Sequence, residues 1–336
     1  MKIDVSIMGT ALEDVSTKVE SWSSAGVDGI FSAEGPHDVF APLYLAAAGT
    51  SEMALMTNAA IAFPRNPIHL AHSAFDLQRL SRGKFRLGIA PQVPAHIERR
   101  FGLTWSDPLG RMEELIGALR AIFATWQEGS ELNYSGRYYT HTLMTPMFSP
   151  GPSEWGVPRI VLGGLGPAMT KLAAAKADGV SILPFNSEEL LRATTAPSIE
   201  AGLSSMGRSR DQFEVICGVI VGLGDDDIEL DRATLSAKAL LGFYGSTKAY
   251  GRVLDSIDRG QRGPELAALV RRGGFDEVAD LVDDDMVARL AVVARPEDAA
   301  QKVLVRCGWL ADRVAVFFPS EPTPQQLQRF VAGLHG

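Results

Sequence analysis

The segment Gly163-Gly164-Leu165-Gly166-Pro167-Ala168 has the residue types needed to hold a phosphate on backbone alone. Its glycines let the chain approach an anion closely. Pro167 suits the first position of a helix whose free N–H groups and dipole face the same point. Lys171, one turn further on, adds a positive charge. The spacing is not that of the dinucleotide fingerprint, and no acidic residue ends the strand that follows. Taken alone, the segment reads equally well as a glycine-rich turn between a strand and a helix. A second segment, Thr57 to Pro67, ends a strand in the small residues Asn58, Ala59 and Ala60 before Ile61 and turns through two prolines. Small side chains let a flat ring lie against the backbone, or they pack tightly at a rim. Ser32 to Asp38 contributes Glu34 and His37, residue types used in acid–base chemistry and also common as surface groups. Gln92, within Gly88 to Pro94, offers a donor and an acceptor to a heterocycle edge. The following His96, Glu98, Arg99 and Arg100 read as a solvated helix face.

Two patterns that imitate metal or ion sites are set aside. His69, His72 and Asp76 share a helical face at ligand-like spacing, but on an outer helix near its start, where such spacing is commonly incidental. Asp225-Asp226-Asp227 and Asp283-Asp284-Asp285 are consecutive carboxylates. Neighbours on a helix point about 100° apart, so neither run focuses on one ion. No metal site is expected.

The elements that must carry these residues follow from periodicity. Lys2–Met8, Asp28–Ser32, Met53–Ile61, Lys84–Ile89, Val157–Leu162, Gly179–Leu183, Phe213–Val221 and Arg313–Phe318 read as eight strands, each followed by a helical stretch. The clearest helix opens at Asp107-Pro108 and places Leu109, Met112, Leu115, Ile116, Leu119, Ile122, Phe123 and Trp126 on one stripe,. A helix is also expected around Pro42 to Thr50. The order predicts an α/β fold, a (β/α)8 TIM barrel, as a single domain over 1–336. It carries a loop insertion at about 127–156 after strand four and a helical insertion at about 225–293 after strand seven. In this fold chemistry sits at the C-terminal ends of the strands, where the candidate segments fall.

Bulk properties narrow the classes. The chain has 336 residues, 46% hydrophobic and 21% charged, with a formal net charge of -8. That is globular composition, and the negative charge disfavours nucleic acid and anionic membrane as partners. Cys217 and Cys307 each lie in an apolar run and read as buried thiols,. No run of about 18 apolar residues and no apolar leader is visible, so a cytoplasmic protein is expected.

Together, Thr57 to Pro67, Asp76 to Gly88 (DLQRLSRGKFRLG) and Gly163 to Ala168 resemble the luciferase-like monooxygenase superfamily, in particular its coenzyme F420-dependent oxidoreductases. The resemblance spans nearly the whole chain. It implies a barrel with an insertion after the seventh strand. It also implies a non-proline cis peptide at the end of the third strand, backing the central ring of the cofactor, here at Ala60-Ile61 or Ala59-Ala60. The phosphate would sit on the amides of Gly164 to Ala168, with Asn58, Ala59, Ala60, Ile61 and Gln92 about the ring. Many members carry a catalytic His directly after the acid that ends strand two. Gly35 occupies that position after Glu34, which leaves His37 as a substitute or the chemistry without a His there.

The function implied is hydride transfer between C5 of the deazaflavin F420 and a small organic substrate, with Glu34 and His37 as proton-transfer groups. The loop Gln127 to Trp155, with Tyr134, Tyr138, Tyr139 and Met144, would form a substrate lid or a packed excursion along the rim. The alternatives are an FMN-dependent monooxygenase fed by a separate reductase, and a non-catalytic flavin- or deazaflavin-binding barrel. The family implies a homodimer.

Overall fold

The computed structural model describes residues 1–49 and 52–336. Apolar and β-branched runs form the strands β1 (Lys2–Ser6), β2 (Gly29–Ser32), β3 (Ala54–Thr57), β4 (Ala60–Ile61) and β5 (Phe85–Ala90). A two-stranded hairpin, β6 (Tyr134–Ser135) and β7 (Thr140–His141), follows. Then come β8 (Arg159–Gly164), β9 (Gly179–Ile182), β10 (Glu214–Leu223), β11 (Ala291–Ala294) and β12 (Arg313–Phe317). The order β1-β2-β3-β5-β8-β9-β10-β12 is parallel throughout and closes through β12 on β1. With its ring of helices this is the expected (β/α)8 barrel.

Several details differ from the sequence reading. The third strand is not continuous over Met53–Ile61 but splits into β3 and β4. The fifth starts and ends two residues later than Val157–Leu162, which makes Gly163 and Gly164 strand residues. The stretch 127–156 is not featureless, since it holds the β6–β7 hairpin and a short 3-10 turn at Pro146–Phe148. The helical insertion is present, but a strand, β11, closes it and extends the sheet beside the outer half of β10. The barrel then resumes with helix Pro296–Cys307. Helix Pro108–Glu128 begins as read, with the Asp107 carboxylate accepting from Gly110 N. Its stripe is buried except for Leu109, which is 39% exposed. The helix expected to end at Thr50 runs Ala41–Gly49, and Thr50 lies outside the described residues. Cys217 and Cys307 are free and buried.

The barrel interior is layered, because every second residue of a strand points inward. Its middle is apolar, formed by Phe31, Met56, Val161, Ile216 and Ala315 with Phe317 above. Two residues earlier on the strands lies a layer of charges. Arg313 holds Asp4 through two hydrogen bonds, and Arg86 holds Glu214 through two more at 2.6 and 2.9 Å. Both pairs are buried or nearly so, and mutual bidentate geometry is what makes such burial tolerable. Two residues later, at the opposite end, the inward positions are Ala33, Asn58, Ala90, Gly163 and Gly218, with Phe317 the one large residue among them. The strands therefore carry charge at one mouth and mostly small residues at the other.

One close approach shapes that second mouth. Met56 stands opposite Arg86, but Ala60 stands opposite Ile89. The third strand thus spends one more residue than its partner, a bulge that turns the Thr57 carbonyl onto residue 88. A Cβ there would lie 1.8 Å from Thr57 O, so only glycine fits at Gly88. Thr57 Oγ1 donates to the Gly88 carbonyl at 2.7 Å and locks the contact.

Gly88→Ala is expected to destabilise the protein by about 3 kcal/mol or more, beyond ordinary overpacking, because the clash is with backbone. Urea unfolding would read this directly. A second expectation concerns the charged layer. Burial alone would raise the Glu214 carboxyl, but the hydrogen bonds and charge of Arg86, with Arg159 and Arg313, outweigh it and hold the group below its usual range. That stability is complete above the ordinary value of 4.5 and is lost as the pH falls through the depressed one,. In a pH series of urea unfolding, wild type should lose stability more steeply below about pH 4.5 than Glu214→Gln does.

Candidate active site

At the small-residue mouth, β3 stops at Thr57 and the Asn58-Ala59 peptide bond is cis. The expected positions, Ala60-Ile61 and Ala59-Ala60, are therefore both too late. The break comes where the extra residue of the bulge is accommodated, before β4 resumes pairing with β5. Asn58 and Ala59 are half-buried at the opening, whereas Ala60 and Ile61 are buried behind them. Asn58 N donates to Ser32 O at 2.7 Å. Its side-chain oxygen accepts from Ser181 Oγ at 2.7 Å across the barrel. With Oδ1 so engaged, the Asn58 NH2 is the group left to donate.

Glu34 leaves the end of β2 with its side chain 11% exposed. Its Oε1 accepts from Ile61 N at 3.1 Å and from Arg65 Nη1. Arg65 Nη1 also donates to Ile61 O at 2.9 Å, and Nη2 reaches Asp38 at 3.3 Å. His37, two residues beyond Gly35, is half-buried, and its ring makes no hydrogen bond among the described residues. Gln92 sits in the left-handed backbone region at φ 69°. Its Oε1 accepts from Val93 N, which leaves its NH2 free to donate.

The glycine segment ends β8 and opens helix Pro167–Lys176. Gly166 is the N-cap residue, in extended conformation and with no side chain to cap the helix. The first-turn amides of Ala168 and Met169 therefore have no partner within the helix. A Cβ on residue 166 would lie 3.3 Å from the guanidinium of Arg252, in helix Gly251–Asp255 of the insertion. Arg252 makes no ion pair or hydrogen bond among the described residues. Lys171 is exposed on the helix. The glycine segment thus fits a phosphate in two ways, with unclaimed amides and an unclaimed guanidinium beside a backbone that carries no Cβ.

The hairpin loop is tied to helix Pro108–Glu128 by its tyrosines. Tyr134 OH donates to Glu114 O at 3.0 Å and Tyr138 OH to Asp107 Oδ2 at 2.8 Å. Tyr139 lies beside Arg111, whose guanidinium stacks on Phe63 at 4.0 Å. Arg65, Ser181 and Arg252 are the site residues that sequence reasoning missed. Arg65 lies between Pro64 and Pro67, and its charge inside an otherwise small and apolar run was the available signal. No comparable signal marks Ser181 or Arg252. A cavity of about 540 Å³ at the charged end of the barrel, lined by Asp28, Glu214, Arg313 and His335 among others, holds mostly paired charges. Among the described residues no cluster of three or more His, Cys, Asp or Glu could hold a metal ion. No helix there is long and apolar enough to cross a membrane.

Comparison with known proteins gives consistent findings. Residues 6–313 match the model of the luciferase-like monooxygenase family. A Mycobacterium tuberculosis protein named Uncharacterized protein Rv1360 is 42% identical over 293 residues, covering 87% of this chain and 86% of its own. The 5,10-methylenetetrahydromethanopterin reductase of Archaeoglobus fulgidus is 27% identical over 249 residues, 71% of this chain and 70% of that protein. Among solved structures, the coenzyme F420-dependent tetrahydromethanopterin reductase of Methanopyrus kandleri superposes with a TM-score of 0.83 at 18% identity, over 99% of this chain and 98% of that one.

Proposed function

Because the chain belongs to the luciferase-like monooxygenase family, whose members are flavin- or F420-dependent oxidoreductases, we propose that it is an F420-dependent oxidoreductase acting on a small organic substrate. The observation that carries this reading is the cradle at Gly163, Gly164, Leu165, Gly166, Pro167 and Ala168, with the unpaired guanidinium of Arg252 against Gly166. Backbone amides at a helix start and a guanidinium fork are the two groups best suited to a phosphate. An exposed guanidinium beside the cradle suits a ligand whose negative charge continues past its phosphate, as in F420 and not in FMN. The names of the Archaeoglobus relative and the Methanopyrus structure, both reductases, support the same choice.

When bound, the deazaflavin supplies hydride exchange at its ring carbon C5. The chain supplies the rest. Asn58 and Ala59 form the wall for the ring, backed by Ala60 and Ile61, and the free amide groups of Asn58 and Gln92 donate to its polar edge. Arg252 and the amides of Ala168 and Met169 neutralise the phosphate. His37, uncommitted and half-buried, gives or takes the proton that accompanies reduction or oxidation of the substrate.

The test is to titrate the protein separately with oxidised F420 and with FMN and follow cofactor fluorescence. F420 should respond saturably, and Arg252→Ala should weaken its binding about tenfold or more, the scale of a charge-assisted hydrogen bond. Tight FMN binding with no response to F420 would sink the reading in favour of a two-component monooxygenase. With a substrate found by screening alcohols and aldehydes, His37→Ala should lower turnover about 100-fold or more and leave F420 affinity unchanged. An unchanged rate would remove His37 from the mechanism.

A further inference from the structure

β2 pairs with β3 only as far as Ser32 opposite Thr57. Beyond that point the chain of the third strand continues as β4, with β5 on one side and no strand on the other. In a parallel sheet, the N–H and C=O of one residue point to the same side, and those of the next residue to the opposite side. Ala62 N donates toward β5, to Ala90 O. Ile61 therefore turns both of its backbone groups toward the place where β2 is missing. Ile61 is 2% exposed, and backbone groups buried without partners cost about as much as lost hydrogen bonds.

We propose that Glu34 and Arg65 together replace the missing length of β2, and are positioning residues that hold the ring-facing backbone in shape. Glu34 Oε1 provides the acceptor that Ile61 N–H requires, at 3.1 Å, and Arg65 Nη1 provides the donor for Ile61 C=O, at 2.9 Å. The same Nη1 binds Glu34 Oε1, so the two surrogate groups hold each other. Asp38 on Arg65 Nη2, at 3.3 Å, and the Phe40 ring, 5.9 Å below the guanidinium, keep the arginine in place. On this assignment Glu34 Oε1 is committed to Ile61 N–H and Arg65, and His37, which makes no hydrogen bond among the described residues, is the proton carrier of the proposed reaction. The role in shaping a ring site rests on the function proposed above, but the backbone role does not.

Backbone amide exchange of the ligand-free protein, read by mass spectrometry on peptides covering 58–63, tests the backbone role without any cofactor. Glu34→Ala and Arg65→Met should each speed exchange there about tenfold, the loss of one or two hydrogen bonds, while peptides from the charged end of the barrel stay protected. Glu34→Gln keeps an acceptor for Ile61 N–H and should restore most of the protection. Should Arg65→Met fail to fold, Arg65→Lys decides. A lysine keeps the charge but lacks the planar fork, so exchange at 58–63 should still rise. In fluorescence titrations with F420 and with FMN, the fast-exchanging variants should also bind the accepted cofactor about tenfold more weakly. Unchanged exchange in both Glu34→Ala and the arginine variant would overturn the inference. So would a Glu34→Gln protein that keeps its protection and cofactor affinity yet turns over at least about 100-fold more slowly, as a proton carrier would. If wild type binds neither cofactor, the proposed function fails while the exchange result stands.

Discussion

The contact between Thr57 O and Gly88, too close for any side chain at residue 88, sets the geometry of the functional end of this barrel. A regular third strand would have carried its pairing with β5 straight through residue 58 and closed the mouth with another ladder of backbone bonds. The extra residue interrupts that ladder, brings Asn58 and Ala59 to the opening and displaces the strand end relative to β2. From that displacement follow the Ser181 bond to Asn58, the edge of Ile61 that no strand pairs, and the position of Arg65. Only the missing Cβ at residue 88 makes the interruption compatible with close packing.

The two ends of the barrel meet the same requirement by different means. Inward positions cannot be left empty, and at the N-terminal end they are filled by long side chains whose charges cancel in pairs, Arg313 with Asp4 and Arg86 with Glu214. That layer is a plug. At the other end most inward residues are small, Ala33, Asn58, Ala90, Gly163 and Gly218, with Phe317 the exception. A charged pair, Glu34 with Arg65, appears there too, but at the rim, where it serves backbone groups instead of occupying the interior.

What could be read from the sequence was whatever local pattern determines. The eight barrel strands announce themselves as apolar runs between turn residues, and the Asp107-Pro108 helix start was legible because cap and first-turn chemistry are local. The glycine-proline turn was legible as a strand-to-helix turn for the same reason. β11 was missed because Ala291–Ala294 follows helix Asp284–Leu290 without a turn residue between them, so its four residues read as a continuation. The position of the cis bond was missed because it depends on the register between two strands, which no single strand encodes. Arg65, Ser181 and Arg252 gain their roles only through contacts with residues far away in sequence, and periodicity is silent about those.

The insertion packs on a second centre that it shares with the barrel: Leu241, Leu254, Val282, Met286 and Leu290 cluster with Phe185, Leu190 and Ile220, apart from the core beneath the barrel helices. Regions with separate cores can open as separate cooperative units. Arg252 is rooted in that second unit but reaches back to Gly166 on the first. An anion seated between them would work as a latch, joining parts of the molecule that pack on different centres. Occupancy of the cradle would then be felt as the loss of an early, partial unfolding step, well away from the atoms that react.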